Sequence, residues 1–144
     1  MDKSLKKILE EIIETKDRRN EDEEKRFLEL INQTFGRMDL DVARILMKTF
    51  LAKPDFGTQE RVISAMLSGR REIYIQALLE GLPRLQAEAK NWIENLLCPE
   101  IEYHPDILEK LARLMPENIK EIIRTVLNNK DIRRDYPNAE KIII

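Results

Sequence analysis

Apolar residues recur at intervals of three and four positions along most of the chain, with lysine, arginine and glutamate between them. This spacing gathers the apolar side chains on one face of an α-helix and leaves the charged ones on the other. The first stripe predicts a helix over residues 3–16 and consists of Leu5, Ile8, Leu9, Ile12 and Ile13. The second consists of Phe27, Leu28, Ile31 and Phe35. Gly36 follows it and is expected to take the left-handed conformation that ends a helix.

A third helix is predicted to begin near Asp39. Apolar residues cover most of its circumference between residues 42 and 51, so we expect it to be central in the fold. The segment 53–58 contains a proline and a glycine and ends this helix. Either Asp55 or Thr58 is expected to cap the fourth helix by accepting a hydrogen bond from its free amides. The core face of that helix is predicted at Val62, Ile63 and Met66.

Glycines and prolines divide the second half of the chain. Gly69 is expected to allow a sharp turn, and Gly81 with Pro83 to separate a fifth helix from a sixth. The sixth stripe runs from Leu85 to Leu97, and the two prolines that follow predict an extended connection over residues 98–105. Two further helices are predicted around residues 107–114 and 119–127. The apolar end, residues 142–144, is expected to dock on that last helix pair.

The predicted fold is all-α, with about eight helices. Helices of about 11 to 15 residues with very short links must pack antiparallel to their predecessors, which gives successive helical hairpins. We therefore predict a single domain over residues 1–144, built as a HEAT-like stacked helical array. The hairpins share no repeat that can be aligned, so the array is inferred from helix lengths. A globular helical bundle is the alternative.

Charge and cysteine content narrow the possible partners and the cell compartment. The chain carries 25 basic and 27 acidic residues, a net charge of −2, with both signs finely mixed. Proteins that bind nucleic acid usually concentrate basic residues to neutralise phosphates, and that signal is missing here. A single cysteine excludes an internal disulfide and fits a reducing cytoplasm. No stretch approaches the ~20 apolar residues of a membrane span, so we expect a cytoplasmic protein without a membrane partner.

The residues that carry chemistry are few and scattered. His104 is the only histidine and lies between prolines and acidic residues, but metal sites usually combine several His or Cys residues at fixed spacing. Cys98 has no histidine or basic residue next to it that would favour the thiolate, so we interpret it as a core residue. The chain contains no HExxH, CxxC or glycine-rich phosphate loop. We expect no enzyme activity, metal, cofactor or small-molecule substrate.

Two pairs of carboxylates have helical spacing, and two aromatic residues lie on or beside apolar stripes. The pairs Glu11/Glu14 and Glu21/Glu24 have the helical spacing of carboxylate-bridged metal sites but lack histidine partners, so they are interpreted as solvated faces. Trp92 falls on the core stripe of its helix. Tyr74 lies next to a stripe, and we predict it to be an accessible aromatic anchor, since tyrosine is enriched at interface hot spots.

Three stretches carry a resemblance to a known family. They are LDVARILMKTF at residues 40–50, DFGTQERVI at 55–63, and YIQALLE at 74–80, which is followed by LPRL at 82–85. Their pattern resembles the small, all-helical, HEAT-like immunity proteins of bacterial polymorphic toxin and contact-dependent growth inhibition systems. The resemblance covers about half of the chain, residues 40–97, and the segment 55–60 is its most specific part.

What the resemblance implies is a cytoplasmic antidote that binds a cognate toxin domain, commonly a nuclease, in a one-to-one complex and blocks its active site. Exposed carboxylates would meet a basic nuclease surface, and complementary charge would speed capture and reject wrong toxins. The acidic partner-binding residues we predict are Asp39, Asp41, Asp55, Glu60, Glu72 and Glu80, with Tyr74 as the aromatic anchor.

Two other functions are compatible with a helical scaffold. A nucleic-acid-binding protein, such as a base-excision enzyme on a HEAT-like scaffold, would need a pocket carboxylate and a concave face that collects Arg61, Arg70, Arg71, Arg84 and Lys90. The doublet Arg70-Arg71 also suggests a recognition helix, but acidic residues follow it and few side chains are left to read bases. An adaptor for another cellular protein is the third possibility.

Overall fold

The structure is a computed structural model that describes residues 2–53 and 57–144. Over these residues it contains nine α-helices, one 3₁₀ helix and no β-strand, which confirms the all-α prediction. Eight of the α-helices have at least eight residues, in agreement with the predicted number. In this described part of the chain, no helix has the length and apolar character needed to cross a membrane.

By its internal contacts the chain divides into two compact units, Met1–Tyr74 and Ile75–Ile144. Unit 1 contains α1 (Lys3–Thr15), α2 (Glu21–Asn32), α3 (Leu40–Met47) and α4 (Thr58–Met66). The boundary falls inside α5 (Arg71–Glu88). Unit 2 continues with α6 (Asn91–Tyr103), α7 (Pro105–Ala112), α8 (Glu117–Leu127), α9 (Lys130–Asp135) and the 3₁₀ helix (Pro137–Lys141). The single domain over residues 1–144 stays a prediction.

In unit 1, the first two helices form an antiparallel hairpin. Arg26 on α2 donates two hydrogen bonds to the carboxylate of Glu11 on α1, at 2.8 and 2.9 Å. Beyond the end of α2, Arg37 reaches back to Asp2, the residue that caps α1, at 2.9 Å. Late residues of α2 therefore lie beside early residues of α1, as the short link between the helices requires.

The second hairpin of unit 1 lies alongside the first with like helices adjacent. The chain before α3 contacts the start of α1, and the Arg18 guanidinium after α1 donates to the Thr49 carbonyl after α3 at 3.1 Å, so α1 and α3 run in the same direction. Thr58 at the start of α4 donates to Glu24 near the start of α2 at 3.0 Å. Parallel like helices are the arrangement of a helical repeat, and within unit 1 the hairpins are stacked in this way.

Local residues fix the helix starts of unit 1. Helix α3 begins after Asp39, as predicted, and the Asp39 carboxylate caps it by accepting a hydrogen bond from the Val42 amide at 2.9 Å. The cap of α4 is Gly57, with φ of 90°, and not the side chain of Thr58, which is the first residue of the helix. The other predicted cap, Asp55, lies outside the described residues. Gly69 has no left-handed backbone; it is needed because an added Cβ would lie 2.7 Å from the Cβ of Met38.

The core of unit 1 surrounds one buried guanidinium. Phe27, Leu46, Phe50 and Met66 have no exposed surface. Arg18 is almost fully buried, stacks over the Phe27 ring at 4.4 Å and has a left-handed φ of 45°. A bulky residue in that region is strained, so the stacking and the hydrogen bond to Thr49 must hold it there.

In unit 2 the structure corrects the helix breaks predicted from prolines. Helix α5 continues through Gly81 and Pro83 to Glu88, and α6 continues through Pro99 to Tyr103, so residues 98–103 are not extended. The break falls instead at Ala89 and Lys90, inside the stripe assigned to one helix. An interior proline removes one amide bond and its ring crowds the carbonyl four residues earlier, but the buried apolar residues on both sides keep each helix continuous.

The C-terminal residues lie against α7 and α8, as predicted. Ile142 is buried, and the Ile143 amide donates to Glu109 on α7 at 2.7 Å. The Arg113 guanidinium on α7 donates to the Ile143 carbonyl at 3.0 Å, and Arg124 on α8 donates to the Ile144 carbonyl at 3.3 Å. Only Ile143 of the three isoleucines is exposed, at 69%.

Candidate functional site

An open groove runs along the surface of unit 1 between α1 and α3, with a volume of about 810 Å³. Its floor is apolar and its two walls are charged. Leu9 and Ile13 of α1 and Ile45 of α3 line the floor, and because Leu9 is only 2% exposed, Ile13 and Ile45 supply its accessible surface. The wall residues are Lys6, Glu10 and Glu14 on α1, and Asp41 and Arg44 on α3 with Lys48 directly after it. We call this surface the α1–α3 groove.

The groove has an apolar floor because α1 and α3 each have one apolar residue that the core does not cover. On α1, Ile12 is fully buried while its neighbour Ile13 is 37% exposed. On α3, Val42 and Leu46 are fully buried while Ile45 is only half-buried. The sequence stripes place Ile13 and Ile45 in the core, and the structure corrects both. The width of the apolar stripes could have indicated this, because an apolar arc wider than the core face leaves residues for a second surface.

The two walls of the α1–α3 groove carry opposite charges over most of its length. On α1, Lys6 is followed by Glu10 and Glu14; on α3, Asp41 is followed by Arg44 and Lys48. Because α1 and α3 run in the same direction, the acidic part of one wall accompanies the basic part of the other. Within the part of the chain that the structure describes, Glu10, Glu14 and Lys48 have no ion pair or side-chain hydrogen bond. Arg44 lies 3.6 Å from Asp41.

Of the predicted partner-binding acids that the structure describes, only Asp41 lines this groove. Asp39 is nearby at the start of α3, but its carboxylate is used in the helix cap. Glu60 is exposed in the first turn of α4, and Glu72 is exposed at 3.8 Å from Arg70. Neither of these two lines the groove. Asp55 lies outside the described residues.

Two further predicted site residues lie on α5. Tyr74 is only 2% exposed and belongs to the buried residues, so the prediction of an accessible aromatic anchor is wrong. Glu80 lies in unit 2, is half-buried, and has an interaction within the protein. A helix with buried residues at 74, 75, 77, 78 and 79 is apolar over a wide arc, so a tyrosine beside its stripe is covered as well.

The basic residues of the nucleic-acid alternative are distributed over both units. In unit 1, Arg61 stacks over the Phe35 ring at 4.3 Å and donates to Asn32 at 2.7 Å, while Arg70 is near Glu72. In unit 2, Arg84 pairs with Glu88 at 2.6 Å. These contacts neutralise part of the charge or use the guanidinium in packing, which leaves less of it to contact phosphates.

The residues considered for catalysis or metal binding have roles in packing, in a helix junction or in an ion pair. Burial raises the pKa of the Cys98 thiol to about 11, and the nearby Glu94 carboxylate adds to the rise, so the thiol stays protonated near neutral pH. His104 joins α6 to α7, and its backbone amide donates to the Glu100 carbonyl. The hydrogen bonds from Arg26 hold the pKa of Glu11 below its ordinary range. Among the residues described, no three His, Cys, Asp or Glu side chains are grouped so as to hold a metal ion.

A second cleft, in unit 2, has a different character. It has a volume of about 490 Å³ and is lined by polar residues that include Gln86, Asn91 and Thr125. Its apolar residues, Ile93, Ile122 and Val126, are less than a tenth exposed. They offer little apolar surface to a partner, whereas Ile13 and Ile45 in the floor of the α1–α3 groove are more exposed.

Comparison of the chain with family models, with curated protein sequences and with solved structures found no match. The resemblance to helical immunity proteins is therefore neither strengthened nor weakened by these comparisons. It stays a prediction.

Proposed function

We propose that this chain is an immunity protein that neutralises a toxin domain by forming a one-to-one protein complex. The observation that supports this proposal most is the α1–α3 groove, an accessible apolar strip between two charged walls. Protein interfaces combine an apolar centre with a polar rim, and the groove has this composition. The sequence resemblance supplies the kind of partner.

The shape of the α1–α3 groove favours a macromolecular partner over a small molecule. Pockets for small ligands bury most of the ligand's surface and have a few convergent polar groups. Here the charged side chains stand along both edges, and the groove is open to solvent between them. A segment of another protein can cover such a strip and extend beyond it on both sides.

Charge on the α1 wall supports a toxin with basic surface, as nucleases have. Glu10 and Glu14 have no ion-pair partner in the described part of the chain, so their full charge is available. Opposite charges on two partners speed association and disfavour wrong partners more than they raise affinity. The basic α3 wall then requires acidic residues on the same toxin, which makes recognition specific.

The direct test uses the gene next to that of this protein. If the neighbouring upstream gene encodes a large secreted protein, its C-terminal domain is expressed from an inducible promoter with and without this chain. We expect growth arrest with the domain alone, and growth with both proteins. A C-terminal domain of a related but different system, tested in parallel, should still arrest growth.

The complex itself is then measured with the purified chain and an inactive variant of the domain, by size-exclusion chromatography with light scattering. We expect a one-to-one species. Growth arrest that this chain does not relieve, with both proteins present in soluble form, contradicts the proposal.

A further inference from the structure

The dimensions of the α1–α3 groove match a short helical segment. From Lys6 to Glu14 the α1 wall spans eight residue steps, which at 1.5 Å per residue is about 12 Å. An α-helix makes roughly two turns in that distance. Helices that bind in grooves use apolar anchors at positions i, i+3 or i+4, and i+7, which is the same length. Ile13 and Ile45, the two floor residues that are not buried, are the surface for these anchors.

The walls exclude an extended strand as the best occupant. A strand added to a protein gains its affinity from backbone hydrogen bonds to an open sheet edge. Both walls are α-helices, whose backbone groups are already paired within the helix. A bound strand would leave its own amides and carbonyls to water or to side chains. A helical occupant satisfies its backbone internally and needs only a side-chain stripe.

Charge determines how the occupant's two edges must differ. An edge that faces Glu10 and Glu14 is stabilised by lysine or arginine and repelled by acidic residues. The other edge faces Arg44 and Lys48 and requires acidic residues. The signs invert at one end, where Lys6 lies on α1 and Asp41 on α3, and this inversion can favour one direction of the occupant.

We infer that the α1–α3 groove binds an amphipathic helix of the partner that carries basic residues along the edge facing α1 and acidic residues along the edge facing α3. The inference rests on the proposed function for the identity of the partner as a toxin. The binding geometry follows from the groove alone. The occupant is therefore defined by its pattern: an apolar stripe between two edges of opposite charge.

Two synthetic helical peptides test this pattern by fluorescence anisotropy with the full chain. The first has a leucine stripe, lysine along one edge and glutamate along the other. The second has the same composition and stripe, but lysine and glutamate alternate along both edges. Rotation of a peptide by half a turn cannot restore the match in the second case. We expect the first peptide to bind about tenfold more tightly at low salt, from several pairs of modest strength.

Charge reversal in the protein should change which peptide is preferred. The variant with Glu10→Lys and Glu14→Lys has two basic walls, so it should prefer a third peptide that has glutamate along both edges. The control variant, Glu121→Lys with Glu140→Lys, makes the same change in net charge at exposed positions of unit 2 and should keep the original preference. Ile13→Glu, at a residue already 37% exposed, should abolish binding of the first peptide while the circular dichroism spectrum is unchanged.

Three results would overturn the inference. They are equal affinity of the first two peptides, no binding at all, and a dimer of this chain that Ile13→Glu dissociates, because a second copy would then occupy the groove. The toxin assay separates this inference from the proposed function. If the Ile13→Glu and double-lysine variants still rescue growth, the antidote uses another surface. If the wild-type chain fails to rescue but binds the first peptide, the groove is as described and its partner is another protein.

Discussion

Replacing Pro99 by alanine tests whether α6 continues through this residue. Pro99 lies in the interior of a 13-residue helix and is exposed to solvent. Because its ring has no amide hydrogen, the carbonyl of Asn95 lacks its helical partner. In a helix interior, proline is about 3 kcal/mol less favourable than alanine. Relaxation of the helix around the ring recovers part of that cost, so we expect Pro99→Ala to raise the free energy of unfolding by about 1–3 kcal/mol.

The measurement is urea denaturation followed by circular dichroism, with thermal melting as a second readout. For a chain of this size, each kcal/mol corresponds to a rise in Tm of roughly 2–4 °C. Pro116 offers a matched control, since it is exposed and lies at the N-cap of α8, where no helical amide bond is required. Pro116→Ala should lower stability by about 0.4–1 kcal/mol, because the unfolded chain gains freedom. A loss of stability in Pro99→Ala as well would refute the continuous helix and support the extended connection predicted from the sequence.

Three other predictions concern the core and its ionisable groups. Phe27→Ala should lower the free energy of unfolding in urea by about 3–5 kcal/mol, because the fully buried ring also stacks under Arg18; Phe35→Ala, at a half-buried ring, should cost clearly less. Alkylation of Cys98 by iodoacetamide should be very slow at pH 8, and rapid alkylation at pH 7 would contradict its burial. The stability linked to the raised pKa of this thiol is present below pH 9.0 and is lost as the pH rises through about 11. The pKa of Glu11 is lowered by Arg26, so the stability it contributes is present above its ordinary pKa of 4.5 and lost as the pH falls below that value. Glu11→Gln should therefore flatten the acid limb of the stability profile in urea, and an unchanged acid limb would contradict this effect of Arg26.

The prediction of helices succeeded where the apolar stripe was regular and its ends were marked by capping residues. Helix α7 begins at Pro105, a residue that was assigned to the extended connection, but α1 begins at Lys3 and α3 begins after Asp39, as predicted. These features are local, since a cap needs only the amides of the next few residues. The same local reasoning failed at Pro83 and Pro99. Whether a helix tolerates a proline depends on how much apolar surface on both sides is buried by the rest of the fold.

The candidate site was only partly accessible to sequence reasoning. Asp41 was predicted to bind a partner, and it does line the α1–α3 groove. Tyr74 was predicted to be accessible and is buried. The apolar residues that form the floor, Ile13 and Ile45, were assigned to the core, because their helical positions are compatible with it.

The sequence alone determined that the chain is helical, where α1 and α3 begin, and that residues with catalytic chemistry are scattered. Periodicity and capping depend on neighbours within a few positions, so the amino-acid sequence is enough to recognise them. The tertiary structure decided which apolar residues stay uncovered and which charges stand opposite one another. Those properties depend on the packing of α1 beside α3, whose residues are more than 20 positions apart, and periodicity does not specify which helix covers a given face.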